Sequence, residues 1–211
     1  MSNSHKGFFI TLEGIEGAGK STHATYMADL LQQHGHQVLV TREPGGTAFG
    51  EQIRAILLLH NALNINAMSE LLLMFAARAQ HLAEIILPAL AQGKTVLCDR
   101  FTDSSFAYQG GGRGIPSEFI YTLSNVVHPD LKPDLTLLFD LAPATGLGRA
   151  KAATTADRFE SETIDFFNAV RSAYLKIAAD EPERIRIVDA EQDIESIQTE
   201  IKQMMNHLGL C

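Results

Sequence analysis

The chain carries little that would take it into an oxidising compartment or a bilayer. Its 211 residues include only two cysteines, Cys98 within an apolar run and Cys211 at the C-terminus. Such a pair does not resemble the disulfide framework of a secreted domain. No uninterrupted apolar run reaches the ~20 residues of a membrane span; the longest apolar-rich stretch, Leu71 to Leu90, is broken by Arg78, Gln80, His81 and Glu84. The segment before the first apolar run lacks the hydrophobic core of a signal peptide. Positive charge is also scarce. With 17 Lys and Arg against 25 Asp and Glu, the formal net charge is −8, which argues against a general nucleic-acid binder with a basic face. No internal repeat, low-complexity tract or long linker divides the chain. One cytoplasmic domain over residues 1–211 is expected, with no nucleic acid and no membrane among its partners.

Against that background one stretch stands out: Gly14-Ile15-Glu16-Gly17-Ala18-Gly19-Lys20-Ser21, followed by Thr22. It matches G-x-x-x-x-G-K-[ST], a phosphate-binding loop. Glycines let backbone N–H groups approach a polyphosphate, and the helix that starts near Gly19 adds its free amides and positive dipole end. Lys20 is placed to reach the β- and γ-phosphates, and Ser21 to ligate Mg²⁺. The context fits. Phe8 to Leu12 has strand character, and Ala24, Met27, Ala28 and Leu31 recur at helical spacing.

Four more apolar runs follow: Val38–Thr41, Thr95–Cys98, Leu135–Phe139 and Ile185–Val188. Helical patterns separate them, at about 47–59, 67–92 interrupted or kinked at Pro88, 101–109, 116–127, 143–152, 161–179 and 193–208. The Gly110-Gly111-Gly112-Arg113-Gly114 run is expected to end the short helix before it. Alternation of this kind predicts an α/β P-loop fold: a five-stranded parallel sheet with helices on both faces. Ligands then gather at the carboxyl ends of the strands, where Glu13, Arg42, Asp99-Arg100, Asp140 and Asp189 lie. Asp99 is expected to act as the acidic partner of Mg²⁺ alongside Ser21, or else to cap the helix after it; Asp140 competes for the metal role.

Three functional classes follow from a P-loop. A GTPase switch usually carries N-K-x-D and a transport ATPase an L-S-G-G-Q-like string, and neither occurs here. A kinase for an alcohol acceptor, such as a deoxynucleoside, would use a carboxylate base, for which Glu13 or Glu16 could serve. A kinase for a phosphate acceptor needs cations instead. The arginines near strand ends and loops (Arg42, Arg78, Arg100, Arg113, Arg149, Arg158) favour the last.

The P-loop together with Thr41-Arg42-Glu43-Pro44-Gly45-Gly46-Thr47, Met74-Phe75-Ala76-Ala77-Arg78, Asp99-Arg100 and Ala107-Tyr108-Gln109-Gly110-Gly111-Gly112-Arg113-Gly114 resembles the bacterial thymidylate kinase family, over essentially the whole chain. The resemblance implies transfer of the ATP γ-phosphoryl group to dTMP, with Mg²⁺, in a cytoplasmic homodimer. It implies that Arg100 and Arg42 hold the acceptor phosphate, that Ser105, Tyr108 and Gln109 line the sugar and base, and that Glu16 lies near the sugar. Phe75 and Arg78, at i and i+3 on one helix, would stack on the thymine and hydrogen-bond to it. A short lid is expected at about 149–160, where Arg149 and Arg158, helped by Lys151, bring positive charge to the transferring phosphate, and Arg149 is placed to stack on adenine. The lid departs from the family's arginine-rich version, with Ala153-Thr154-Thr155-Ala156 at its centre.

Overall fold

The five apolar runs form the strands of a single parallel sheet: β1 (Phe9–Glu13), β2 (Val38–Arg42), β3 (Thr95–Asp99), β4 (Leu135–Asp140) and β5 (Ile185–Asp189), in the order β2-β3-β1-β4-β5. All pairings are parallel, with Leu12 opposite Asp99 and Arg42 also opposite Asp99 across β3. A computed structural model of the chain describes residues 7–58, 64–153 and 158–211, with backbone alone at 151–153. The central part of the expected lid and the Lys151 side chain therefore lie outside the described residues.

The helices are α1 (Lys20–Gln33), α2 (Ala48–Leu58), α3 (Ala67–His81), α4 (Leu87–Ala91), α5 (Thr102–Ser105), α6 (Ser117–Val127), α7 (Pro143–Ala153), α8 (Ile164–Asp180) and α9 (Ile194–His207). Period-two alternation divides β1 between two cores. Ile10 and Leu12 join a cluster with α1, α8 and α9, whereas Phe9 packs with Leu82, Ile86, Val96 and Phe101 on the opposite face. Thr11 and Glu13 share the Phe9 face by the same alternation. Both are buried, so their polar atoms need partners.

Two expectations are refined here. The interruption expected at Pro88 falls one turn earlier. The helix from Ala67 passes through a π-helical turn at Leu82–Ile86 and continues as α4, with Pro88 just after that turn, where the ladder is already irregular. The resulting run, Ala67–Ala91, is by length and composition apolar enough to cross a membrane. In the fold it packs between α2, α6 and β3, and it buries Glu70, Arg78 and His81.

The glycine run does end the helical segment, but at Gly112 and not at Gln109. After α5 the chain forms a second π-helical turn, Phe106–Gly112, whose last three residues are glycines. Their purpose is close approach. A Cβ on Gly111 would lie 2.7 Å from the Ala173 Cβ, and one on Gly112 would lie 2.4 Å from the Phe166 ring. Only glycine lets this turn press against α8 and so holds Tyr108 and Gln109 at the sheet's carboxyl edge. Two helix starts also shift: α8 begins at Ile164 because Thr163 caps it through the Phe166 amide, and α9 at Ile194 because Asp193 caps it.

Candidate active site

The loop between β1 and α1 adopts the cradle that its glycines suggested. Gly14, Gly17 and Gly19 have φ of 134°, 72° and 83°, values that L side chains disfavour. Gly19 precedes α1 and offers no side-chain cap, and the first turn of α1 holds no acid. The N-terminal amides and the dipole are thus left to an incoming anion. Lys20 is buried and donates to the carbonyls of Gly14 and Ile15 at 3.0 and 2.9 Å. Burial, then the nearby Arg100 charge, pulls its pKa down from 10.5 to about 8. Ser21 and Thr22 are exposed at the helix start. Gly17 leans on α7: a Cβ there would meet the Gly146 oxygen at 2.2 Å and the Arg149 Cβ at 3.1 Å. Arg149 in turn donates to the Ala190 carbonyl at 3.0 Å. The P-loop, Arg149 and the turn after β5 therefore adjoin one another.

Beside the P-loop a cavity opens between β3, α2, α3 and the α5 turn. Of the residues singled out in the sequence, Glu16, Arg78, Arg100, Ser105, Tyr108 and Gln109 line it. Arg100 is its centre. It follows β3 with φ of 70°, an uncommon conformation for a residue with a Cβ, held by its own N–H to the Leu12 carbonyl at 2.9 Å. Its guanidinium donates to Glu16 Oε1 (2.9 Å), Tyr108 Oη (3.0 Å), Tyr174 Oη (3.2 Å) and Ser104 Oγ (3.3 Å). Tyr108 donates onward to Glu16 Oε2 at 2.7 Å. Burial pushes both tyrosine hydroxyls well up, so they remain neutral donors.

A buried carboxylate stands behind this cluster. Glu13, at the end of β1, accepts from the Phe101 amide (2.8 Å), Ser104 Oγ (2.6 Å) and Tyr174 Oη (2.8 Å). Burial, then the Asp103 charge, raises its pKa from 4.5 to about 7. A second carboxylate, Glu43, holds Arg78. Arg78 Nε donates to it at 2.7 Å, while the terminal nitrogens reach Ser105 Oγ and the Phe101 carbonyl at 3.1 and 3.0 Å. His81 Nδ1 lies 3.0 Å from the other Glu43 oxygen. Burial alone would raise Glu43, but Arg78 and His81 outweigh it and lower its pKa.

Three expectations are corrected by these contacts. Phe75 does not face the cavity. It packs with Leu71, Ile115 and Ile120, beneath the Arg78 guanidinium at 4.6 Å. The neighbouring Met74 lines the cavity instead; Met74 and Phe75 are both neighbours of Arg78, at i, i+4 and i, i+3, and packing on Leu71, Ile115 and Ile120 turns Phe75 inward. Arg42, at the end of the edge strand, is half-exposed and paired with Glu51 through both carboxylate oxygens at 3.0 Å. Arg54, one turn beyond Glu51 on α2, is the cavity residue, and it donates to the Pro44 carbonyl at 3.0 Å. Arg158 does not line the cavity. It donates to the Leu57 carbonyl and to Glu70, both at 2.7 Å, with its guanidinium 4.6 Å from the Phe159 ring centre.

For a divalent cation the two acidic candidates now differ. Asp140 is gripped by Arg171 through two bonds of 2.7 and 2.8 Å. Asp99 keeps Oδ1 buried and without a hydrogen-bond partner among the described residues, and Lys20 lies within its field. An orphaned carboxylate oxygen at a strand end beside a P-loop is chemically suited to a metal or its bound water.

The chain is similar to known proteins over nearly its whole length. The thymidylate kinase family model matches residues 12–201. A thymidylate kinase from Pseudomonas syringae pv. tomato is 56% identical over 202 residues, 96% of each chain. One from Pseudomonas fluorescens (strain SBW25) is 55% identical over 199 residues, 94% of this chain and 95% of the other. The crystal structure of thymidylate kinase from Ehrlichia chaffeensis superimposes with a TM-score of 0.78 at 32% identity, covering 94% of this chain and 98% of that one.

The buried Glu13 generates a stability prediction. Its folded pKa of about 7 lies above the ordinary 4.5, so between these values the folded protein keeps a proton that the unfolded chain has released. Its contribution is complete below the unfolded pKa and lost as pH rises through the folded one. Between about pH 5 and 7.5, urea unfolding of the native chain should lose up to about 3 kcal/mol relative to Glu13→Gln. A gap between the two proteins that does not change with pH would contradict the burial assigned to Glu13.

Proposed function

The chain belongs to the thymidylate kinase family and transfers the γ-phosphoryl group of ATP to dTMP, giving dTDP and ADP; we propose that ATP lies along Gly14–Thr22 and Arg149 and that dTMP fills the cavity beside Arg100. The observation that carries this assignment is Arg100 itself. It lines the cavity beside the P-loop residue Glu16, and four oxygens fix its guanidinium.

The chemistry follows from charge. A phosphate monoester oxygen of dTMP is already ionised and attacks the γ-phosphorus in line, while the β–γ bridging oxygen leaves with ADP. No general base is needed; the obstacle is repulsion between two anions. Lys20 offsets charge at the β- and γ-phosphates, and Arg100 and Arg54 at the acceptor phosphate. Arg149 supports the donor against the turn at Ala190. Ser21 and Asp99 would hold Mg²⁺, which supplies further neutralisation at the donor phosphates. At the other end of the cavity, Met74 offers a polarizable face to the thymine, and Arg78, with N–H groups beyond the three already committed, donates to its carbonyl. Tyr108 and Ser105 border the sugar, and Phe75 and Arg158 support these residues from behind.

We also propose a cytoplasmic homodimer. Neither cysteine is in a disulfide. Three adjacent helices leave large apolar side chains in water: Phe49 and Ile56 on α2, Met68 and Leu72 on α3, Phe119 and Val126 on α6. A stripe of that kind is suited to a second copy of the same face.

Two experiments test these roles. In a coupled assay Lys20→Met should lower kcat by about 10²-fold or more with dTMP affinity nearly unchanged, since the lysine meets only the donor. Turnover close to normal would remove the P-loop from the mechanism. Light scattering should report a dimer for the native chain and a monomer for Leu72→Glu; a native monomer would end the dimer proposal.

A further inference from the structure

Gln109 lines the cavity, and its amide has two faces of opposite chemistry, a donating Nε2 and an accepting Oε1. Which face meets the substrate depends on the group behind it. That group is Glu70, fully buried in the first turn of α3. Gln109 Nε2 donates to Glu70 Oε1 at 2.8 Å. Arg113 Nε reaches both Glu70 oxygens at 3.2 and 3.3 Å, and Arg158 Nη2 reaches Oε2 at 2.7 Å. A carboxylate flanked by two guanidiniums accepts and does not donate. It tolerates the nitrogen of Gln109 and repels the oxygen, so the amide cannot turn over without placing two acceptors in contact inside a buried site. Gln109 Oε1 has no partner among the described residues and is left for the cavity.

We propose that Glu70 is a positioning residue for substrate choice: by holding Gln109 Nε2 it commits Oε1 to the substrate as an acceptor. The cavity then takes a pyrimidine that carries an N3–H and turns away one whose N3 is a bare lone pair. Thymine and uracil have that proton and cytosine does not. The inference rests on dTMP occupying this cavity. Arg78 acts in the same direction, because its N–H groups suit a C4 carbonyl and not a C4 amine, so Glu70 supplies part of the discrimination and not all of it.

The test compares kcat/KM for dTMP and dCMP, with calorimetry for dCMP binding where turnover is too slow. Loss of a merely structural contact would lower both substrates by one factor and leave their ratio alone. Glu70→Gln, which presents the Gln109 amide with both a donor and an acceptor, should lower the dTMP-to-dCMP ratio at least about tenfold. An unchanged ratio in a folded Glu70→Gln overturns the proposal. Gln109→Leu separates the two layers. If it too leaves the ratio unchanged, the placement of dTMP in this cavity is what fails; if it lowers the ratio and Glu70→Gln does not, only the role of Glu70 fails. Should Glu70→Gln not fold, the native chain decides. Its Gln109 Nε2 protons, identified by their absence from the NMR spectrum of Gln109→Leu, should exchange with solvent far more slowly than those of an exposed glutamine. Exchange as fast as that of an exposed glutamine would overturn the proposal as well.

Discussion

The proposed acceptor site depends on guanidinium–carboxylate pairs taken out of water. Arg78 is held by Glu43, Arg100 by Glu16, and Arg113 and Arg158 by Glu70. Desolvating each ion costs several kcal/mol, and a pair is tolerated only when further hydrogen bonds satisfy both partners. That condition shapes the surroundings. The Phe101 carbonyl, the hydroxyls of Ser104, Ser105, Tyr108 and Tyr174, and the Gln109 amide all serve as those further partners. A chain of net charge −8 can thereby bind an anionic nucleotide without a basic surface. Its few effective cations are fixed in number and direction by single acids, not supplied by a broad positive field.

Donor and acceptor sides are prepared differently. On the acceptor side the cations already point along the cavity and the carboxylates keep them there. On the donor side Lys20 is folded back onto the carbonyls of its own loop, with its pKa pulled down to about 8. A polyphosphate in the cradle would replace those carbonyls and raise that pKa again. If the proposed placement holds, the donor half completes its electrostatics when ATP arrives, and the acceptor half has them in advance.

Contiguous motifs were legible in the sequence; partnerships between distant residues were not. The P-loop could be read because its glycines, lysine and serine act through one short stretch of backbone. The five strands could be read because a parallel sheet buried on both faces needs continuous apolar runs. The Gly110–Gly112 run was legible as a helix stop, but its close approach to Ala173 and Phe166 was not, because only the position of α8 shows it. Helical spacing allowed either Met74 or Phe75 to share a face with Arg78, and the packing of Leu71, Ile115 and Ile120 chose Phe75 for the core. Arg42 sat in the more conspicuous motif, but it ends an edge strand where Glu51 can reach it, while Arg54 occupies the inward turn of α2. Glu43 and Glu70 gave no signal of their own. A buried acid looks like any surface acid until its arginines, 35 and 43 residues away, fold beside it.

A crystal structure with dTMP and an unreactive ATP analogue tests the preset acceptor site most directly. The expected result has the N3 edge of the thymine on Gln109 Oε1, its carbonyl on Arg78 and the 5′-phosphate on Arg100, with the Arg78–Glu43 and Gln109–Glu70 contacts intact. If dTMP lies elsewhere, or if Arg78 leaves Glu43 to reach the base, the buried carboxylates do not set the site before substrate arrives.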